Sequence, residues 1–122
     1  MQINLKTTNI QITPQTRDYA ERKVNSLEKF ILGMDESVQA WVELEKTTNH
    51  HQKGDIYRAE IQIRIPHYNR GARAEATHES LNEAIDDAHD EMKIELEKIK
   101  DKKISLARRG ARLFKKFIPF LK

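Results

Sequence analysis

Ile3 and Leu5 alternate with Gln2, Asn4 and Lys6, the two-residue period of a strand with one wet face. A helix is expected from Thr13-Pro14, because a threonine hydroxyl can cap a free amide of the first turn and proline fits the first helical position. Ala20, Val24, Leu27 and Ile31 then recur at helical spacing, and Gly33 follows Leu32 where a helix end takes a left-handed residue. This predicts helix one over about Pro14 to Leu32.

Two longer alternations follow. Val38, Ala40, Val42 and Leu44 alternate with Gln39, Trp41, Glu43 and Glu45, and Tyr57, Ala59, Ile61, Ile63 and Ile65 alternate with Arg58, Glu60, Gln62 and Arg64. Both read as strands with one polar face. The polar run from Thr47 to Gly54 breaks either period and reads as a hairpin loop, and Pro66 ends the third strand. Ala72, Ala74 and Ala76 alternate with Arg73 and Glu75, giving a fourth strand whose small side chains leave room for a helix above. From Glu79 to about Lys103, Leu81, Ile85, Ala88, Met92, Leu96 and Ile99 hold one helical face and nearly everything else is charged. The order strand, helix, three strands, helix predicts an α+β, β-α-β-β-β-α domain: a four-stranded sheet with both helices on its apolar face.

Length changes little in this picture: 122 residues suit one domain. Charge changes more. The net charge of +3 conceals a division, because eight of the 22 basic residues and none of the 19 acidic ones lie from Lys102 to Lys122. That leaves 14 basic against 19 acidic residues before it, a body of −5 and a tail of +8. We therefore expect an α/β domain over 1–101 and a basic, partly apolar tail over 102–122, addressed to a polyanion. The absence of cysteine excludes disulfides and thiolate chemistry and suits a reducing cytoplasm. Neither a signal peptide nor a membrane span is expected from the pattern of apolar residues.

Candidate chemistry is sparse. His50, His51 and His67 are the histidines that would suggest a metal, but no third ligand stands at a helical or hairpin spacing to them, so no metal is expected. The four glycines are isolated, so no phosphate-cradling loop is present. Asp86, Asp87, Asp90 and Glu91 are expected to face solvent on helix two, where nothing tunes them for catalysis. No cofactor and no small-molecule substrate are expected, and a binding protein is favoured over an enzyme. Trp41 on the polar face of its strand could pack across strands against arginine stems or stack on a base or partner. Arg22 and Lys29, seven residues apart, are expected close together on the solvent face of helix one, flanked by Arg17 and Lys23. Cations serve solubility on any surface helix, so spacing alone does not assign them a role.

The tail interleaves Lys102, Lys103, Arg108, Arg109, Arg112, Lys115 and Lys116 with Leu, Phe and Ile. Three roles compete for it. Pure solvation fits poorly with the large apolar residues between Leu113 and Phe120. An amphipathic helix on anionic lipid has little room between Gly110 and Pro119. RNA contact uses both features, since cations neutralise phosphates while Arg and Phe stack on exposed bases.

Ile10-Gln11-Ile12-Thr13-Pro14 leading into helix one, Lys23-Val24-Asn25-Ser26-Leu27-Glu28-Lys29-Phe30 within it, and Thr77-His78-Glu79-Ser80-Leu81-Asn82-Glu83-Ala84-Ile85-Asp86 opening helix two resemble, in correct order, the short ribosome hibernation promoting factors, also called ribosome-associated translation inhibitors. The resemblance covers about Met1 to Lys100. It implies a domain similar to double-stranded-RNA-binding modules that lodges in the decoding region of the small ribosomal subunit, across the paths of messenger and transfer RNA. It also implies ribosomal RNA contacts from both helices: Arg17, Arg22, Lys23 and Lys29 match on helix one, Lys98 and Lys102 on helix two. Glu91 and Ile94 replace two cations that relatives often carry there, so the tail is expected to supply positive charge instead. A second, dimer-forming domain of long members is not expected, and the protein would be a monomer off the ribosome.

Overall fold

The computed structural model describes residues 1–31, 37–47, 54–65 and 71–117, the last seven as helix backbone. The helix stop at Gly33, the centre of the hairpin loop, Pro66, and His50, His51 and His67 lie outside these residues. So do the side chains of Arg112, Lys115 and Lys116.

The elements are β1 (Gln2–Thr8), α1 (Pro14–Asn25) continued by a 3-10 turn (Ser26–Phe30), β2 (Gln39–Thr47), β3 (Ile56–Arg64), β4 (Ala72–His78) and α2 (Leu81–Phe117). The sheet order is β1-β2-β3-β4. β1 and β2 are parallel, with Ile3 beside Ala40 and Leu5 beside Val42. Parallel neighbours need a crossover, and α1 with its 3-10 turn provides it. The β2–β3 and β3–β4 pairs are antiparallel, so Val42, Ile61 and Ala74 form one row on the core face while Trp41, Gln62 and Arg73 form a row on the other. The architecture is the expected α+β one.

The helices form as their caps dictate. Thr13 Oγ1 accepts from the amide of Thr16 at 3.2 Å, with Pro14 at the first helical position. Ala20, Val24 and Leu27 face the sheet together with Ala84, Ile85, Ala88, Met92 and Leu96 of α2, all fully or almost fully buried. Each large side chain withdrawn there contributes about 1.5–3 kcal/mol. The alanine face of β4 does what its small volume suggests: Ala72 and Ala74 are buried beneath α2, which packs on β4 and β3. Among the described residues, none of the buried ones is polar or charged.

Two helix ends differ from expectation. Helix one leaves α geometry at Ser26, whose hydroxyl donates to the Lys23 carbonyl at 2.6 Å and competes with the helical ladder. The tighter 3-10 repeat then turns Lys29 away from the line that one α-helix would have drawn through Arg22. Helix two does not stop near Lys103 but runs to Phe117, a length of about 55 Å at 1.5 Å per residue. Gly110 costs a helix only about 1 kcal/mol, and it stands among Ala107, Arg108, Arg109, Ala111 and Arg112, most of them good helix formers. This far end has left the sheet behind: from Ser105 to Gly110 every residue is exposed, Leu106 at 55%.

Candidate nucleic-acid interface

The helical layer carries the basic residues singled out from the sequence, each held by a different neighbour. Arg17 Nη1 lies 3.9 Å from Glu21 Oε1 and Arg22 Nε 3.5 Å from Asp18 Oδ2, both one turn along α1. Exposed pairs of this kind are worth about 0.3–0.5 kcal/mol, so the guanidiniums can exchange a carboxylate for a phosphate at little cost. Lys23 is held more firmly, with Nζ 3.2 Å from Asp86 Oδ1 on α2. The same oxygen accepts the phenol proton of Tyr19. That hydrogen bond first, then burial and then the charge of Asp86, push the Tyr19 phenol up to about 12. Asp86 therefore does not simply face solvent: it bridges the two helices.

Beside this bridge, His89 Nε2 lies 3.0 Å from Ser26 Oγ and His89 Nδ1 lies 2.9 Å from Asp90 Oδ1. The order Ser-His-Asp has the outline of a nucleophilic triad, but the Ser26 proton is directed to the Lys23 carbonyl rather than to the histidine. The cluster is a polar clasp between α1 and α2.

Further along the same seam, Phe30 receives two cations. Lys29 Nζ stands 5.3 Å from its ring centroid and Lys93 Nζ, from α2, 5.1 Å. Each such contact at a solvated site is worth about 0.5–1 kcal/mol and leaves the ammonium available to an anion. Arg22, Lys23, Lys29 and Lys93 thus line the seam between the helices. Lys93 was not among the residues picked from sequence. Its signal was there: Asp86, His89 and Lys93, spaced by three and four, mark the edge of α2 adjoining its apolar stripe.

Apart from Asp86 in the bridge and Asp90 at the clasp, the neighbouring acids of helix two turn toward the sheet edge. Asp87, Asp90, Glu91 and Ile94 border a depression with Glu75 and Thr77 of β4, on the flank facing the sheet edge. Lys98 is exposed and pairs with Glu95 at 3.5 Å. Lys102, Arg108 and Arg109 are exposed and Lys103 half-buried on the protruding part of α2. Fifteen residues of helix separate Lys93 from Arg108, about 22 Å, so the seam and the tail are two separate basic surfaces on one rod.

The opposite face of the sheet holds a compact charge network. Arg58, 18% exposed, reaches Glu43, Glu45 at 2.7 Å, and Glu60 and Glu75 at 3.2 Å each. Arg73 Nε adds a bond to Glu60 at 3.1 Å. The Glu43 carboxyl is held below its ordinary range by the Thr8 hydroxyl and Arg58, and that of Glu60 by Arg73 and Arg58. Arg58 and Arg73 are thus committed to carboxylates. Among the described residues no cluster of His, Asp and Glu could hold a metal ion, and no helix is long and apolar enough to cross a membrane.

Comparison with known proteins agrees with this fold. The family described as sigma 54 modulation protein / S30EA ribosomal protein matches residues 3–104. The ribosome hibernation promotion factor of Bacillus subtilis is 28% identical over 102 residues, which are 84% of this chain and 50% of that protein. The chain thus spans about half the length of that relative. The crystal structure of the N-terminal domain of Thermus thermophilus Protein Y is similar with a TM-score of 0.64 at 29% identity, over 81% of this chain and 99% of that one. A ribosomal subunit interface protein from Coxiella burnetii shares the fold, with a TM-score of 0.64 at 16% identity over 83% of this chain and 99% of its own.

Proposed function

This chain belongs to the sigma 54 modulation protein / S30EA ribosomal protein family, and on that premise we propose that it is a ribosome hibernation factor. In this reading it is a non-enzymatic, cytoplasmic translation inhibitor that occupies the decoding region of the small subunit and keeps messenger and transfer RNA out of idle ribosomes. Residues 1–101 form the ribosome-binding domain and residues 102–122 a basic extension that follows ribosomal RNA. Off the ribosome the protein is a monomer.

The observation that carries this reading is the seam between α1 and α2. Arg22 and Lys23 from α1, Lys29 from the 3-10 turn and Lys93 from α2 line one side of the helical layer, each held by a named neighbour. Phosphates fixed on a folded RNA surface call for such an array of cations, whose binding releases counterions. Glu91 and Ile94 lie toward β4, away from the seam, so their departure from the usual cations leaves this array intact. Co-sedimentation with purified small subunits tests the proposal. Protein found in the pellet at low salt, and displaced by messenger and transfer RNA analogues, is the expected result; protein left in the supernatant overturns it. An off-ribosome RNA-binding role would instead show unrelated structured RNA competing as well as ribosomes.

One observation favours a second reading. The helix continues through Gly110, which removes the objection that an amphipathic helix has no room in the tail. Leu106, Leu113 and Phe117 recur at helical spacing in a segment without acids, a pattern suited to anionic lipid. Flotation with anionic liposomes of the full chain, but not of a version ending at Asp101, would support this reading.

A further inference from the structure

The outer face of the sheet divides into two unlike halves. One half consists of the rows Lys6–Glu43–Glu60–Glu75 and Thr8–Glu45–Arg58–Thr77, where four carboxylates hold the cations between them. The other consists of Gln2–Gln39–Arg64 and Asn4–Trp41–Gln62–Arg73, with no carboxylate at all. At its centre Trp41 is 39% exposed, the most exposed of the aromatic residues placed by their side chains in the sheet. Its in-register neighbours are the amides Asn4 and Gln62 rather than arginine stems. The indole rises between two shallow troughs: one bordered by Arg64 and Arg73, with no carboxylate in its lining, and the other by Asn4 and Lys6 together with Glu43 and Glu60. Arg64 is exposed and makes no ion pair with any described residue, unlike Arg58 and Arg73.

From this arrangement we propose that the Trp41 half of the sheet binds unpaired RNA, with a base stacked on the indole. An exposed indole offers a flat surface to any base. The amides of Asn4 and Gln62 stand at its two edges; Asn4 Nδ2 donates one hydrogen to the Ala40 carbonyl and Gln62 Nε2 one to Glu60, which leaves each a second N–H and a carbonyl oxygen for the edge of an unpaired base. Arg64 supplies charge for the adjoining phosphate, and the RNA strand is placed along the Arg64 trough, whose lining has no carboxylate, rather than along the trough that Glu43 and Glu60 border. A paired base fits poorly, because its edges are already bonded and its faces already stacked. The site lies on the opposite side of the sheet from the helical seam, so one molecule could hold folded RNA on its helices and a single strand on its sheet.

Trp41 is the chain's one tryptophan, which makes its own fluorescence the probe. A short single-stranded oligoribonucleotide of mixed sequence is titrated into the full chain, alongside the same strand in a duplex, at low and at raised salt. Expected is saturable quenching by the single strand that persists, though weakened, at raised salt, with little quenching by the duplex. With a labelled oligonucleotide, Trp41→Ala is expected to lose about fivefold or more in affinity, and Trp41→Phe to keep part of it. Absence of quenching, or equal quenching by duplex, overturns the proposal. So does a Trp41→Ala variant that weakens ribosome binding but leaves oligonucleotide affinity unchanged, which would mark the face as a docking site for a protein. Failure to sediment with ribosomes would leave the quenching result standing, so the two readings fail separately.

Discussion

The phenol of Tyr19 and the ammonium of Lys23 share one oxygen, Oδ1 of Asp86, and through it α1 is tied to α2. A neutral donor and a cation on one carboxylate oxygen hold the seam closed at its middle. Tyr19→Phe keeps the ring and removes one bond to a charged, partly exposed acceptor, so it is expected to lower stability by about 1 kcal/mol in denaturant unfolding. The pH dependence follows from the raised phenol. Its ordinary value is 10 and its folded value about 12, so the bond contributes fully below pH 10 and fades as pH rises toward 12. The wild-type and Tyr19→Phe proteins should converge in stability over that window, and the substitution should remove a late phenolate absorbance transition.

Arg58 is the hub of the outer sheet, and its loss would strand four glutamates around a gap. Arg58→Ala is expected to destabilise the fold by roughly 2 kcal/mol near neutral pH, less than for a fully buried pair because the site is partly wet. Glu43 and Glu60 have folded values below their ordinary 4.5, so their contribution is present above that value and lost as pH falls below it. The gap between wild type and Arg58→Ala should therefore narrow below pH 4.5 in thermal unfolding followed by circular dichroism. A gap independent of pH would mean that the arginine stem, not its charge, matters.

Much of this architecture is legible in the sequence itself, and the reason is periodic. The strand alternations around Val42 and Ile61 and the stripe from Leu81 to Ile99 are long enough for one face to declare itself, and a four-stranded sheet with both helices on its apolar face follows; strand order and register are seen only in the structure. Three features escaped for physical reasons. The change to 3-10 geometry at Ser26 depends on one hydroxyl finding the Lys23 carbonyl, which no period encodes. The continuation of α2 through Gly110 turns on neighbouring propensities outweighing one glycine. Lys93 joins the candidate surface only because Phe30 from the 3-10 turn lies beside it, a contact across more than sixty residues of chain. Helix-one cations were visible as a cluster, but the carboxylates that hold them were not.

Ribosome affinity should carry the signature of phosphate neutralisation. If about five phosphates are engaged, the logarithm of affinity should fall against the logarithm of salt with a slope of about −3.5 to −4.5, depending on the form of the RNA. Replacing Lys93 by Ala should flatten that slope by about 0.7–0.9, as removal of one phosphate contact would. An unchanged slope would take Lys93 off the interface.

The tail can be weighed against the seam in the same assay. Ending the chain at Asp101 removes eight cations and is expected to lower affinity and flatten the slope more than Lys98→Ala, which removes one cation already paired with Glu95. Equal binding by the shortened protein would show the extension to be dispensable.

Whether the extension acts as a helix is a separate matter, and Gly110 decides it. A methyl group built at Gly110 meets nothing within 4 Å. Gly110→Ala should therefore stabilise the outer helix by about 0.8–1 kcal/mol without a clash, raising helicity by circular dichroism. Gly110→Pro removes an amide and drives its ring against the preceding turn, breaking the rod at that point. If Lys102, Arg109 and their neighbours meet RNA from a continuous helix, the alanine variant should bind ribosomes as well as wild type or better, and the proline variant distinctly worse. If the chain must bend at Gly110 to follow the RNA, the order reverses, because alanine then stiffens the joint that binding has to open. Chain length and net charge are the same in both variants, so a difference between them isolates helix continuity from charge.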